Sequence, residues 1–94
     1  LPISFTLSQN YPNPFNPITT IKYEIPEQTN CSLIVYDLIG RSVRTLVSSQ
    51  QSSGSYSVNW DGTDQYGHQV SGGMYIARLH AGNQLHTIKL VYLR

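Results

Sequence analysis

Ninety-four residues make one domain at most, and a net charge of +1 with no Lys/Arg cluster excludes nucleic-acid binding by phosphate neutralisation. A hydrophobic content of 39% excludes a disordered chain, and a domain of this size buries about 65% of its unfolded surface, enough for a core without a metal. No apolar run reaches membrane-spanning length.

Residues 1–17 read as a linker and Pro/Asn-rich lead-in packed on a domain formed by residues 18–94. In Tyr11-Pro12-Asn13-Pro14-Phe15-Asn16-Pro17, each proline lacks an N–H and fixes φ, so the run cannot lie inside a central strand or a helix. Asn13 and Asn16 add turn chemistry, and the expected role of Tyr11 and Phe15 is to plug one end of the core. Ile3–Leu7 is a candidate extra strand. The chain lacks an initiator Met and a signal peptide, so it reads as a piece of a longer protein.

Ile18–Ile25 alternates, with Ile21, Tyr23 and Ile25 on one face. Pro26 to Asn30 reads as a turn. Cys31–Asp37 is the next strand, with Cys31, Leu33 and Val35 inward; Cys31 is the only cysteine, so no intrachain disulfide is possible, and it reads as a small buried hydrophobe. Asp37-Leu38-Ile39-Gly40 is a tight reversal, with Asp at the first turn position and Gly where φ is positive. Leu38 and Ile39 are expected to fold back over the core. Arg41–Val47 is a strand with Val43 inward and an irregularity near Leu46-Val47; Ser48–Gly54 reads as a polar loop. Ser55–Trp60 places Tyr56, Val58 and Trp60 inward. Asp61–Gly73 is a long turn-rich loop, and Met74–His80 and Leu85–Leu93 are strands joined at Gly82-Asn83. No window has helical periodicity. About six or seven short strands point to an all-β, Ig-like antiparallel β-sandwich.

Candidate chemistry is sparse. Asp61 and Asp64 lie among glycines, but two carboxylates without a bidentate Glu are a poor calcium set; they fit side-chain capping of a turn. His68, His80 and His86 have no metal-ligand spacing, and no nucleophile elbow or phosphate-cradling loop exists. The expectation is a domain with no catalytic residue, metal or cofactor. Seven tyrosines raise carbohydrate stacking, for which Tyr36, Tyr66 and Tyr92 are the surface candidates; core packing is the default. The last strand is unusual. Ile88, Leu90 and Tyr92 share one face, and the opposite face adds apolar Val91 and Leu93 after polar Thr87 and Lys89. Either the lead-in buries that second face, or a partner recognises the strand by strand addition.

The run Gln9-Asn10-Tyr11-Pro12-Asn13-Pro14-Phe15-Asn16-Pro17 resembles the opening of the type A C-terminal sorting domain of the bacterial type IX secretion system. Val35 to Arg41 is similar to that family's central hairpin, and Thr87 to Arg94 to its terminal signal. The resemblance implies a non-catalytic domain that directs a covalently linked N-terminal passenger through the type IX translocon to the surface or medium of a Gram-negative bacterium. A sortase-like protease would then remove it. The signal would comprise Lys89, Leu90, Val91, Tyr92, Leu93 and Arg94, with Arg94 in place of the family's final Lys. Tyr11, Pro12, Asn13, Pro14, Phe15, Asn16, Pro17, Asp37, Gly40 and Trp60 would be structural. The segment Trp60 to Tyr75 also resembles the Ig-like domain of flagellar hook-capping proteins, which implies the same sandwich in an assembly scaffold. The alternative is an Ig-like structural, adhesive or carbohydrate-binding accessory module.

Overall fold

The computed structural model describes residues 4–94. Seven strands form two antiparallel sheets: β1 (Thr6–Leu7), β2 (Thr19–Ile25), β3 (Thr29–Tyr36), β4 (Ser42–Gln51), β5 (Gly54–Trp60), β6 (Gly73–Ala81) and β7 (Gln84–Tyr92). One sheet has the order β1-β2-β5 and the other β4-β3-β6-β7. The molecule is an all-β sandwich. Of the expected Ile3–Leu7 strand, Thr6–Leu7 forms β1, and Ile3 lies outside the described residues.

The core follows the period-2 alternation. Ile21, Tyr23 and Ile25 from β2 face Cys31, Leu33 and Val35 from β3, all buried. Trp60, Tyr75, Ala77, Leu79, Leu90 and Tyr92 complete the inner layer from β5, β6 and β7. Tyr56 is half-buried and stacks on Tyr23 with ring centroids 5.3 Å apart. Burial pushes the pKa of the Cys31 thiol and of the Tyr23 and Tyr75 phenols above their ordinary values, keeping them un-ionised. The irregularity in β4 is real: the pairing with β3 jumps from Val47 to Thr45, leaving Leu46 as a bulge.

Several expectations need correction. Ser48–Gly54 is not a loop. Its first four residues extend β4, paired to Thr29–Ser32, and Gly54 opens β5, so the reversal is only Ser52 and Ser53. A backbone ladder holds polar residues in a strand regardless of their side chains. Likewise Thr29 and Asn30 belong to β3 rather than to a turn. Leu38 and Ile39 do not fold back: they are 63% and 79% exposed. Asp37 accepts from the N–H groups of Ile39 (3.0 Å) and Arg41 (2.9 Å), which closes the reversal with Leu38 and Ile39 at its tip. Gly40, at φ 96°, takes the positive-φ position.

Beneath this common core the two sheets carry different outer faces, because cross-strand partners share a face. On the three-stranded sheet Thr20, Lys22 and Glu24 lie beside Asn59, Ser57 and Ser55. Thr20 bonds Asn59 (2.8 Å), and Ser55 and Thr6 both donate to Glu24. On the four-stranded sheet Val91 lies beside Met74, and Lys89 beside Ile76, which lies beside Tyr36. The next row is Thr87, Arg78 and Ile34.

Candidate functional site

One end of the sandwich gathers every segment that the sequence singles out. The Asn/Pro run, the Asp37–Gly40 turn, the Trp60 loop and the chain's last residues all meet there, beyond the Thr19–Trp60 and Gly73–Tyr92 pairs. Four aromatic rings from separate segments form its inner lining. Phe15 stacks on Tyr92 at 4.9 Å and lies 5.5 Å from Trp60, and Trp60 makes an edge contact with Tyr75 at 5.3 Å. Such pairs each add about 0.5–1.5 kcal/mol beyond their area burial.

The surrounding polar groups fix these rings. Trp60 Nε1 donates to the Thr63 carbonyl at 2.9 Å, and Gln69 Nε2 donates to the Tyr92 hydroxyl at 2.6 Å. The Tyr75 hydroxyl donates to the Ser71 carbonyl at 2.5 Å. Gly62, at φ +75°, leaves the space that the Tyr92 ring occupies: a Cβ there would sit 2.6 Å from Tyr92 Cζ. Gly62 and Gln69 are thus part of the Tyr92 pocket, although nothing in their own residue types announces it.

The Asp61–Gly73 loop holds itself together through its carboxylates. Asp64 Oδ1 accepts from the N–H groups of His68 and Tyr66, both at 2.9 Å, and the His68 N–H holds its carboxyl below the ordinary carboxylate range. Asp61 accepts from the Thr63 hydroxyl at 2.5 Å, which lowers its carboxyl in the same way. Arg44 donates to the Thr63 hydroxyl and, at 3.2 Å, to the Asp64 carbonyl. Gln65 ties the loop to β4 by accepting from Thr45 N–H (2.8 Å) and donating its own N–H to the Val43 carbonyl (3.0 Å). Among the described residues no group of three or more His, Cys, Asp or Glu side chains converges as a metal set.

The lead-in does not simply plug the core. Phe15 does so, at 1% exposed, whereas Tyr11 is 80% exposed. Tyr11 pairs through its backbone with Thr20, an outward-facing residue, and so points outward itself. Asn10 is buried and donates to Thr19 Oγ1 at 3.0 Å, while Thr19 donates to the Pro12 carbonyl at 2.8 Å. Beyond this point the lead-in runs along the outer edge of β7. Gln9 Nε2 donates to the Lys89 carbonyl at 2.7 Å. Asn13 Oδ1 accepts from Val91 N–H at 3.0 Å. Phe15 N–H donates to the Val91 carbonyl and its carbonyl accepts from Leu93 N–H, both at 2.9 Å. The Lys89 and Val91 carbonyls and the Val91 and Leu93 N–H groups, which a partner strand would need, are therefore taken.

The six C-terminal positions divide by face. The side chains of Leu90 and Tyr92 are core and are not available on the folded surface; Tyr92, expected among the surface aromatics, is 2% exposed. Val91 is half-buried on the outer face, and Lys89, Leu93 and Arg94 are exposed. Tyr66 is fully at the surface, and Tyr36 is half-buried beneath Arg78, whose guanidinium lies 5.2 Å from its ring. His86 lies opposite Leu79 as expected and stacks edge-on against Phe5.

Comparison with known proteins agrees with this architecture. No curated protein sequence matches the chain. The fold is similar to that of dimeric latent PorU from Porphyromonas gingivalis, with a TM-score of 0.76 and 19% identity over 99% of this chain and 10% of that one. It is also similar to PorZ, an essential bacterial surface component of the type-IX secretion system of the same organism, with a TM-score of 0.62 and 23% identity over 97% of this chain and 12% of that one. The chain thus spans about a tenth of the length of either structure, and the likeness is one of fold. Residues 18–85 match the FlgD Ig-like domain model, and over that span, most of its length, the chain belongs to the FlgD Ig-like domain family.

Proposed function

We propose that this Ig-like domain is a non-catalytic sorting domain, which directs a linked passenger through the type IX secretion system to the surface or medium of a Gram-negative bacterium. The observation that carries this reading is the build of β7. Leu90 and Tyr92 anchor it in the core, the lead-in closes its edge, and Lys89, Val91, Leu93 and Arg94 remain on the outside. A rigid mount for a short terminal signature is what an address read by a translocon and a sortase-like protease requires. The fold likeness to PorU and to PorZ supports the same reading.

The test fuses the chain behind a signal peptide and a fluorescent reporter in a type IX-competent bacterium and in its translocon-deficient sibling. Surface or medium fluorescence only in the competent strain is the expected result. Retention of the folded fusion in the periplasm of both strains overturns the reading. Deleting Lys89–Arg94 is a poor control, because it also removes two core side chains.

A further inference from the structure

The outer face of the four-stranded sheet has a chemistry that the fold does not need. Met74, which is exposed, and Ile76, Ile34, Tyr36 and Val91, which are half-buried, stand on it, none of them part of the hydrophobic core. Antiparallel sheets with one solvated face ordinarily carry polar residues there. All five carboxylates of the chain lie elsewhere, at Glu24, Glu27, Asp37, Asp61 and Asp64. Arg78 and Lys89 rise from the face and Arg94 follows it, and among the described residues none of the three pairs with a carboxylate.

An apolar strip bordered by unpaired cations is an interaction surface. We infer that this face docks a protein surface carrying carboxylates around an apolar strip, so that recognition extends from the terminal residues of β7 across a sheet face that includes β6 and β3. Charge complementarity selects that partner. A membrane is the weaker match, because anionic lipid surfaces are held by clusters of four to eight cations and three are present here. The closed edge of β7 points the same way: with Lys89, Val91 and Leu93 already engaged by the lead-in, side chains are what a partner can read. The identity of the partner as export machinery rests on the sorting reading; the existence of the docking face does not.

The experiment separates the two. A photo-crosslinking phenylalanine analogue is placed at Met74 or, on the opposite sheet, at Lys22, in the full reporter fusion in living cells. Melting curves verify that each variant folds. A protein adduct from the Met74 position, none from Lys22, and loss of that adduct in the double variant Arg78→Glu/Lys89→Glu is the expected result. Export should fall at least about tenfold in the double variant and stay unchanged in Lys22→Glu. Equal adducts from both positions, or none from Met74, overturn the docking face. So does binding of the purified chain to phosphatidylglycerol vesicles that the double variant loses, which would make the face a membrane contact. If the adduct forms while the intact fusion stays in the periplasm, the sorting reading fails and the face stands.

Discussion

The two sheets share one core yet meet their surroundings differently. Outside the three-stranded sheet, Thr20 bonds Asn59 and Ser55 bonds Glu24, Lys22 adds the opposite charge, and Tyr11 stands exposed beside Thr20. Outside the four-stranded sheet, apolar side chains and unpaired cations stand in neighbouring rows. Folding alone accounts for the first face. The second departs from what stability and solubility favour, and a departure of that kind marks a contact made with something else.

Inner and outer residues contrast most sharply where they alternate on β7. Leu90→Ala removes a fully buried side chain and should cost about 2–5 kcal/mol, whereas Val91→Thr on the outer side should cost under about 1 kcal/mol. Chemical denaturation of both variants measures the contrast; equal losses would mean that the outer face is packed after all. Next in size is Gly62→Ala. The left-handed φ and the overlap with the Tyr92 ring together should cost about 3 kcal/mol, a fall in melting temperature of at least 10 °C on the order expected for a domain of this size. Pairing it with Tyr92→Leu should recover part of the loss.

Asn13→Ala leaves Val91 N–H without its acceptor. It should cost about 1 kcal/mol in chemical denaturation, and amide exchange at Val91 should quicken by at least about fivefold. Ile76→Thr on the unusual face should move stability by no more than about 0.5 kcal/mol in a thermal melt. The smallest effect is a pH dependence. The carboxyls of Asp37, Asp61 and Asp64 are all depressed by hydrogen bonds received in the folded state, from Arg41 N–H, the Thr63 hydroxyl and His68 N–H respectively. Their contribution is complete above the ordinary carboxylate pKa of about 4 and is lost as pH falls below it. Melting temperature should therefore drop on acidification through that range, and less steeply in Asp64→Asn.

Much of the architecture is legible in the chain. The alternation of Ile21, Tyr23 and Ile25 and of Cys31, Leu33 and Val35, together with the Asp37 and Gly40 positions, specifies strands, inner faces and a reversal. The long β4 is not legible, because Ser48 to Gln51 have a loop's composition and are held by pairing with β3. The outer apolar face left a trace that periodicity does not weigh: Leu33-Ile34-Val35-Tyr36 and Met74-Tyr75-Ile76-Ala77 are apolar at both parities. Val91 and Leu93 carry the same signal on β7. Three strands had to be set side by side before it became a surface.

Local patterns in the chain specify the all-β class, the inner residues of most strands, the turn at Asp37–Gly40 and the Asp caps of the Asp61–Gly73 loop. Each of these depends on residues close together in the chain, through side-chain alternation or a bond spanning a few positions. Tertiary structure decided that Tyr11 faces outward while Phe15 stacks on Tyr92, that Gly62 makes room for that ring, and that Gln9, Asn13 and Phe15 close the edge of β7. Those contacts join residues as many as 80 positions apart, and only the register of the two sheets brings them together.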